Sequence, residues 1–383
     1  MKATVADTIA YALQDLGVDI ITHVPGYGGS EAFESYKRIN MKNPPISFHE
    51  EVAYTICHGA SVVGKRSVCL IKAQGLAKAT NSVVDSLYTS TTAGFVTFIF
   101  DDNVGSHSDN IMETEPLLNG LSLPYIVADS ITIYDDVVNA FHKSEKLNLP
   151  VAIIVNASEI LNEIEFEQQS FRKNFTYKRD ILNHVVHPLF AQYQYDVFKS
   201  KQNGKFNETI EKPKLIQVPE EIPERSRGSV KRYQQFFNIF QNFKGDIVTG
   251  DTSSSSSYAL PPYDAIDIVT YIGGSIPLAI GAYLAGNRYT WAMTGDFGFI
   301  AAGHLGLLEA SLRQIPLKIV IFNNKQAAAT GGQPIHRTTL YKILAGYEIY
   351  IRNISNPDDP FEVTEILDEA AQADELRIII VNY

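Results

Sequence analysis

Cysteine, positive charge and long apolar runs are all scarce in this chain of 383 residues. Its two cysteines, Cys57 and Cys69, exclude both a disulfide framework and an iron–sulfur cluster held by four thiolates. The formal net charge of −11 argues against a nucleic-acid partner held through phosphate contacts. Asp7, Gln14 and Asp15 interrupt the first apolar segment, and no later one is long enough to span a bilayer. We therefore expect a cytoplasmic protein without a membrane or nucleic-acid partner.

The order of apolar patterns predicts two α/β domains. Short runs rich in Val and Ile alternate with helical patterns over residues 1–160 and again over 246–383. Such alternation predicts, in each segment, a mainly parallel sheet covered by helices. Residues 161–245 are charged and have few apolar runs, which indicates a partly helical linker. Neither α/β segment has a G-x-G-x-x-G after its first strand, which argues against a dinucleotide-binding fold.

Oxygen-bearing side chains follow two successive strand patterns of the second segment. Asp296 follows the strand pattern "YTWAMTG", and Asn324 follows "LKIVIFN". Because successive parallel strands end at the same edge of a sheet, these side chains are predicted to converge. Mg²⁺ prefers oxygen ligands, and the helix start after Gly298 adds a positive dipole end for phosphate groups. The alternative is structural, with Asp296 capping a helix and Asn324 closing a turn.

The spacing of these residues matches the thiamine diphosphate signature, in which a Gly-Asp-Gly turn is followed by Asn-Asn after a helix and a strand. Phe297 replaces the last glycine of that turn but leaves the aspartate in place. This cofactor also requires a glutamate at the head of a helix, where it protonates the aminopyrimidine ring. The segment "FHEEVAYTICHGASVVGKR" has this form, with Glu50 as the candidate and Glu51 as its competitor.

Four segments carry a resemblance to a known family: "HEEVAYTICHGASVVGKR", "DDNVGSHS", "GDTSSSSSYALPPYDAIDIVTYIGGSIPLAIG" and "FNNKQAAATGGQP". They resemble the large subunit of indolepyruvate:ferredoxin oxidoreductase, within the wider thiamine-diphosphate 2-oxoacid oxidoreductases. The resemblance implies two thiamine-diphosphate-binding folds, a pyrimidine-type domain at 1–160 and a pyrophosphate-type domain at 246–383. It also implies the cofactors thiamine diphosphate and Mg²⁺.

The resemblance assigns roles residue by residue. The carbonyl of Gln326 would join Asp296 and Asn324 as a metal ligand. The implied cofactor-binding residues are Glu50, Gly250, Asp251, Thr252, Ser253, Gly274, Ser275, Ile276, Gly295, Asp296, Phe297, Gly298, Asn324, Ala327 and Ala328. The substrate pocket would include Tyr27, Gly28, Gln74 and His107, with Glu50 and His107 as catalytic residues. Two alternatives stay open. His107 could be a loop residue without a catalytic role, and the serines at 253–257 could form a low-complexity loop that does not line the cofactor.

The function implied by the resemblance is decarboxylation of a 2-oxo acid. The family's large subunit ordinarily has two Cys-rich cluster motifs, which this sequence lacks, so we expect a separate small subunit or ferredoxin-type acceptor to take the electrons. One alternative is a non-oxidative decarboxylase, similar to sulfopyruvate and phosphonopyruvate decarboxylases, or a carboligase. Another is an inactive structural or regulatory subunit. The apolar segment "GGSIPLAIGAYLAG" and the resemblance predict a homodimer or higher oligomer with shared active sites.

Overall fold

A computed structural model describes residues 1–205 and 209–383; residues 206–208, within the predicted linker, lie outside the described residues. The chain divides into two compact units. The first comprises Met1–Lys178 and Ser200–Phe206, and the second Arg179–Lys199 and Asn207–Tyr383. Much of the predicted linker thus falls in the second unit, and the predicted boundaries at 160 and 245 stay a prediction.

The first unit is built on a parallel sheet, as the sequence predicts. Its strands are β1 (Lys2–Thr4), β2 (Ile20–His23), β3 (Ser67–Lys72), β4 (Phe95–Asp101), β5 (Tyr125–Val127), β6 (Val151–Asn156) and β7 (Glu163–Glu165). The sheet has the order β2-β3-β4-β6-β5, and every neighbouring pair is parallel. Strands β1 and β7 form a separate antiparallel pair.

Helices cover this sheet, and their ends follow from local sequence. They are α1 (Val5–Leu16), α2 (Gly29–Asn40), α3 (Glu50–Val62), α4 (Ala73–Lys78), α5 (Thr80–Tyr88), α6 (Thr114–Leu121) and α7 (Ile133–Leu147). Helix α1 begins where the hydroxyl of Thr4 accepts a hydrogen bond from the amide of Asp7. It ends at Gly17, whose φ of 69° suits a residue without a Cβ. Its buried face packs into the apolar core of the unit with α2, α7 and the sheet.

The second unit has a six-stranded parallel sheet within its described residues. Its strands are β8 (Ile247–Asp251), β9 (Ile268–Thr270), β10 (Thr290–Gly295), β11 (Lys318–Asn323), β12 (Ile351–Ile354) and β13 (Arg377–Asn382). The order is β12-β13-β11-β10-β8-β9, with parallel pairing throughout. This order places the carboxyl ends of β8, β10 and β11 side by side. The predicted fold class, two mainly parallel sheets covered by helices, is confirmed.

The helices of the second unit begin inside the predicted linker. They are α8 (Ile181–His184), α9 (Ala191–Gln202), α10 (Glu224–Lys231), α11 (Gln234–Phe240), α12 (Ser275–Leu284), α13 (Asp296–Gly298), α14 (His304–Leu312), α15 (Thr339–Ile343) and α16 (Pro360–Gln372). Residues 299–303 form a π-helical turn between α13 and α14. The end of α9, from Ser200 onward, belongs to the first unit. Phe236 and Phe240 on α11 pack against Phe322 and Trp291 of the sheet, so this helix closes the core.

Candidate active site

A cavity of about 470 Å³ lies at the carboxyl ends of β8, β10 and β11. Ligand sites of open parallel α/β sheets are found at this edge. Most cofactor residues predicted in the second unit line the cavity. They are Asp251, Thr252, Ser253, Gly295, Asp296, Phe297, Gly298, Asn324, Gln326, Ala327 and Ala328.

Asp296 supplies a buried carboxylate directly after β10. Its Oδ2 accepts a hydrogen bond from the amide of Lys325 at 2.6 Å, and its Oδ1 accepts one from the amide of Phe297 at 2.8 Å. Burial raises the pKa of Asp296, and these two amide contacts oppose the rise. Each carboxylate oxygen keeps a second lone pair. Asp296 can therefore accept a cation while it stays bonded to the turn that follows β11.

Asn324 lies at the start of that turn, and its side-chain amide is fixed at both ends. Its Nδ2 donates to the hydroxyl of Tyr233 at 2.8 Å, and its Oδ1 accepts from the amide of Gln326 at 3.0 Å. Lys325 between them has a left-handed φ of 60°. The turn thus has a defined shape, and its residues Asn324 and Gln326 line one cavity together with Asp296.

Asp251, at the end of β8, holds the cavity wall together. Its carboxylate accepts hydrogen bonds from the amides of Gly273 and Ser275, both at 2.8 Å, and from the hydroxyl of Thr294. Burial raises the pKa of Asp251, and these hydrogen bonds oppose the rise. Gly298 lies against the same carboxylate, where an added Cβ would be 2.5 Å from Oδ2. Asp251 therefore ties the start of α12 and the end of β10 to β8.

Four residues predicted to bind the cofactor lie behind this wall. Gly250 is inside β8, Gly274 precedes α12, and Ser275 and Ile276 are the first residues of that helix. All are buried, and none lines the cavity. Their predicted contact with the cofactor stays a prediction.

Glu50 begins α3 in the first unit and lines a cavity of about 640 Å³ there. One of its carboxylate oxygens, Oε2, lies 2.6 Å from the Nζ of Lys78. Gly75 allows this approach, because a Cβ at that position would be 2.8 Å from Cγ of Glu50. The competing candidate, Glu51, accepts a hydrogen bond from Asn81 instead, and burial raises its pKa. Of the two glutamates, only Glu50 lines this cavity.

Gln74 and His107 line the same cavity as Glu50. The ring of His107 stacks on that of Tyr27 with centroids 3.7 Å apart, and its backbone amide donates to Asp102 at 2.6 Å. The Nε2 of Gln74 donates to Oδ1 of Asn110 at 2.8 Å. The structure thus groups Glu50, Gln74 and His107, with Tyr27 positioned against the histidine.

Gly28, the remaining predicted substrate residue, shapes the backbone. Its φ is 86°, and a Cβ would lie 2.8 Å from the ring of Phe100. Its amide donates to Glu31 at 2.6 Å, which closes the start of α2. It does not line the Glu50 cavity, so its contact with substrate stays a prediction.

Three residues near these cavities were missed by sequence reasoning. Tyr233 lines the second-unit cavity and holds Asn324, but it lies in the charged segment predicted as a linker, where nothing marks it. Lys72 lines the Glu50 cavity and donates to the carbonyl of His107 at 2.8 Å. Lys72 ends β3 and Lys78 ends α4, on either side of Gln74, so basic residues flanking this predicted substrate residue were the available signal.

The oxygen groups of the second-unit cavity fit a magnesium–diphosphate pair. Across residues 1–205 and 209–383, no group of three or more His, Cys, Asp and Glu side chains is placed to hold a metal ion. Mg²⁺ is instead commonly held by one or two carboxylates together with phosphate oxygens, and one carboxylate with two neutral oxygens meets this need. The helical run that starts at Asp296 presents its positive dipole end at the same cavity.

The family comparison identifies this domain. Residues 252–381 match the family described as "Thiamine pyrophosphate enzyme, C-terminal TPP binding domain". The matched segment lies within the second unit and is similar to the C-terminal domain of thiamine pyrophosphate enzymes. The match includes Asp296, Asn324 and Gln326, and it supports thiamine pyrophosphate (thiamine diphosphate) as the cofactor.

Curated relatives support the predicted resemblance. The chain is 25% identical over 155 residues to the indolepyruvate oxidoreductase subunit IorA of Archaeoglobus fulgidus, covering 38% of this chain and 25% of that protein. It is 35% identical over 74 residues to IorA of Methanothermobacter marburgensis, covering 19% of this chain and 12% of that protein. The matched regions therefore span a quarter or less of these relatives.

Solved structures share the fold over nearly the whole chain. A Mycobacterium smegmatis protein assigned as a thiamin diphosphate-dependent enzyme superposes with a TM-score of 0.69 at 12% identity, covering 99% of each chain. A thiamine diphosphate-dependent 4-hydroxybenzoylformate decarboxylase from Rhodococcus jostii RHA1 superposes with a TM-score of 0.66 at 13% identity. The superposition covers 99% of this chain and 98% of that one. At these identities the likeness establishes the fold. The prediction of a thiamine diphosphate enzyme with this fold is confirmed.

In the described part of the chain, none of the helices combines the length and the apolar character needed to cross a membrane.

Proposed function

We propose that this thiamine pyrophosphate enzyme decarboxylates a 2-oxo acid as the catalytic subunit of an indolepyruvate-type 2-oxoacid oxidoreductase. The observation that carries the proposal is the pair of cavities, one in each unit. The second unit provides the oxygens of Asp296, Asn324 and Gln326, and the first provides the carboxylate of Glu50 beside Gln74 and His107. The likeness to IorA supports the choice of substrate class.

In this proposal, Asp296, Asn324 and the carbonyl of Gln326 hold Mg²⁺. The chemistry that bound thiamine pyrophosphate supplies is a cationic ring that accepts the electron pair released with CO₂. The fixed turn at 324–326 holds the metal ligands in place before the cofactor arrives, so little ordering is needed on binding. The clamp at Asp251 keeps α12 and β10 in position around them.

The proposed role of Glu50 is to hold and move a proton at its carboxyl group. Lys78 contacts this carboxylate and is half exposed, with 53% of its side chain accessible, so it is free to leave as the cofactor ring approaches. His107 and Gln74 would orient the substrate, because each is held in place by a neighbour, Tyr27 or Asn110. Lys72, at the same cavity, would favour an anionic substrate.

The active unit in this proposal contains at least two copies of the chain. In the folds it resembles, the pyrimidine-type domain of one subunit meets the pyrophosphate-type domain of its neighbour. Helix α12 is buried from Ser275 through Ala282 within the single chain, so the proposal of a shared site rests on the resemblance and not on this helix. In the oxidative reaction, two electrons leave for each CO₂ released, and a separate chain carrying iron–sulfur clusters would accept them. Cys57 and Cys69 are both buried in the first unit and cannot serve that purpose.

The test is turnover of a panel of 2-oxo acids, indolepyruvate among them, with Mg²⁺ and thiamine diphosphate, in the presence and absence of a redox dye. Dye reduction coupled to CO₂ release is expected. Aldehyde formed without the dye would instead support the non-oxidative decarboxylase predicted as an alternative. An absence of CO₂ with every acid, although the cofactor binds, would leave the inactive subunit as the remaining prediction.

A further inference from the structure

A second cavity of the first unit concentrates positive charge away from Glu50. It has a volume of about 1130 Å³ and lies between α6, α7 and the end of α9. Its lining includes Lys143, Lys146 and Lys201 on a wall that also contains Leu118 and Leu123. None of its lining residues is shared with the Glu50 cavity.

Two of these lysines have only neutral partners. The Nζ of Lys143 donates to the carbonyl of Tyr125 at 3.0 Å, and the Nζ of Lys201 donates to the hydroxyl of Ser90 at 2.8 Å. Within the described residues, neither amine forms an ion pair with a carboxylate. The chain has 43 acidic residues, yet among the described residues none of them pairs with Lys143 or Lys201.

The burial of these two ammonium groups favours the binding of an anion beside them. Burial lowers the pKa of Lys143, and it lowers the pKa of Lys201 to about 8. A desolvated ammonium without a counter-charge is unfavourable, and an anion placed against it restores the lost stabilisation. Leu147, which is partly exposed, also lines the cavity and can contact the carbon skeleton of a ligand.

We propose that this cavity is a binding site for a small organic oxyanion, a phosphate ester or a polycarboxylate, that is separate from the proposed active site. Lys143 and Lys201 are its anion-binding residues, and Asn119 and Gln202 are polar groups in its lining. Oxyanions accept several hydrogen bonds, which suits a site rich in ammonium and amide donors. Because the proposal concerns the first unit alone, it does not depend on the proposed catalytic function.

The test measures binding of inorganic phosphate and of citrate by calorimetry, against potassium chloride at the same ionic strength. Binding of one or both probes is expected, and the stronger probe identifies the ligand class. Lys143→Met and Lys201→Met should each weaken that affinity by about tenfold or more, because each removes a charge-assisted contact. Lys65→Met is the matched control, since Lys65 is exposed in the same unit and does not line the cavity. Phosphate that binds elsewhere on the chain contributes equally to the heat measured for every variant, so a difference between variants reports on this cavity.

A second measurement uses pH and needs no destabilising substitution. Among the described residues, the titratable groups around the cavity are Glu115, Tyr125, Lys143, Lys146 and Lys201. Citrate keeps a constant charge above about pH 7.5, so its affinity should fall as Lys201 loses its proton near pH 8, whereas Lys201→Arg should keep its affinity. Two results would overturn the site: no binding of either probe beyond the chloride baseline, or equal affinity in wild type, Lys143→Met and Lys201→Met.

Discussion

Substituting Gly298 by alanine tests the packing that holds Asp251 beside the cofactor cavity. Gly298 has an ordinary helical φ of −62°, so alanine introduces no backbone strain. Its Cβ, however, would lie 2.5 Å from Oδ2 of Asp251 and 2.9 Å from Oγ1 of Thr294. The carboxylate is held by the amides of Gly273 and Ser275, so it cannot move without breaking buried hydrogen bonds.

The expected loss in the free energy of unfolding follows from three effects. Overpacking a close-packed site costs about 1–3 kcal/mol. A buried hydrogen bond lost by the displaced carboxylate costs about 1–3 kcal/mol more. The higher helix propensity of alanine, compared with glycine, offsets about 1 kcal/mol of this loss. We therefore expect Gly298→Ala to destabilise the second unit by about 1–5 kcal/mol.

Urea unfolding followed by tryptophan fluorescence measures this loss directly. Trp291 is the chain's one tryptophan, it is 2% exposed, and it lies in β10 of the second unit. Gly295→Ala is the matched control from the same turn, since a Cβ there meets no atom within 4 Å and the φ of −85° suits alanine. Equal unfolding midpoints for the two variants would refute the reasoning.

Three further predictions follow from single side chains. Glu50→Gln should bind the cofactor but lose turnover by orders of magnitude in the assay of 2-oxo acids, whereas Glu51→Gln should keep the turnover of the wild type. Inactive Glu50→Gln and Asp296→Ala chains, refolded together, should recover part of the activity if neighbouring subunits share sites; mixtures that stay inactive would contradict sharing. Burial raises the pKa of Asp85 to about 6, so stability should fall as pH rises from 4 toward 6, and Asp85→Asn should be more stable than wild type in urea at pH 7 but not below pH 4.

The strands and the turns after them were predictable because their signal is local. Buried parallel strands appear as short apolar runs, so β10 and β11 are where the patterns "YTWAMTG" and "LKIVIFN" predict them. The turns at Asp296 and Asn324 were located by the same pattern. Strand β12 was not predicted, because its segment, "IRNI", mixes polar and apolar residues at the edge of the sheet.

The residues that hold the turns were not predictable, because their partners are distant in sequence. Tyr233 reaches Asn324 across 91 positions, and Asp251 reaches Thr294 across 43. The strand order β10-β8-β9 brings Asp251 and Thr294 together, and no periodic pattern in the sequence encodes that order. Asp251 was predicted to line the cofactor cavity; the structure shows that it also clamps the cavity wall, which is visible only once its donors are in place.

Cofactor binding by the second unit is the central claim, and thermal unfolding with and without thiamine diphosphate and Mg²⁺ tests it most directly. A ligand that binds only the folded state at about 100 times its Kd stabilises it by about 2.7 kcal/mol, so the Tm of the wild type should rise by several degrees. The rise should vanish in Asp296→Ala and persist in Asp374→Ala, which removes an exposed carboxylate of the same unit. An equal rise in wild type and in Asp296→Ala, or no rise in the wild type, would contradict the assignment.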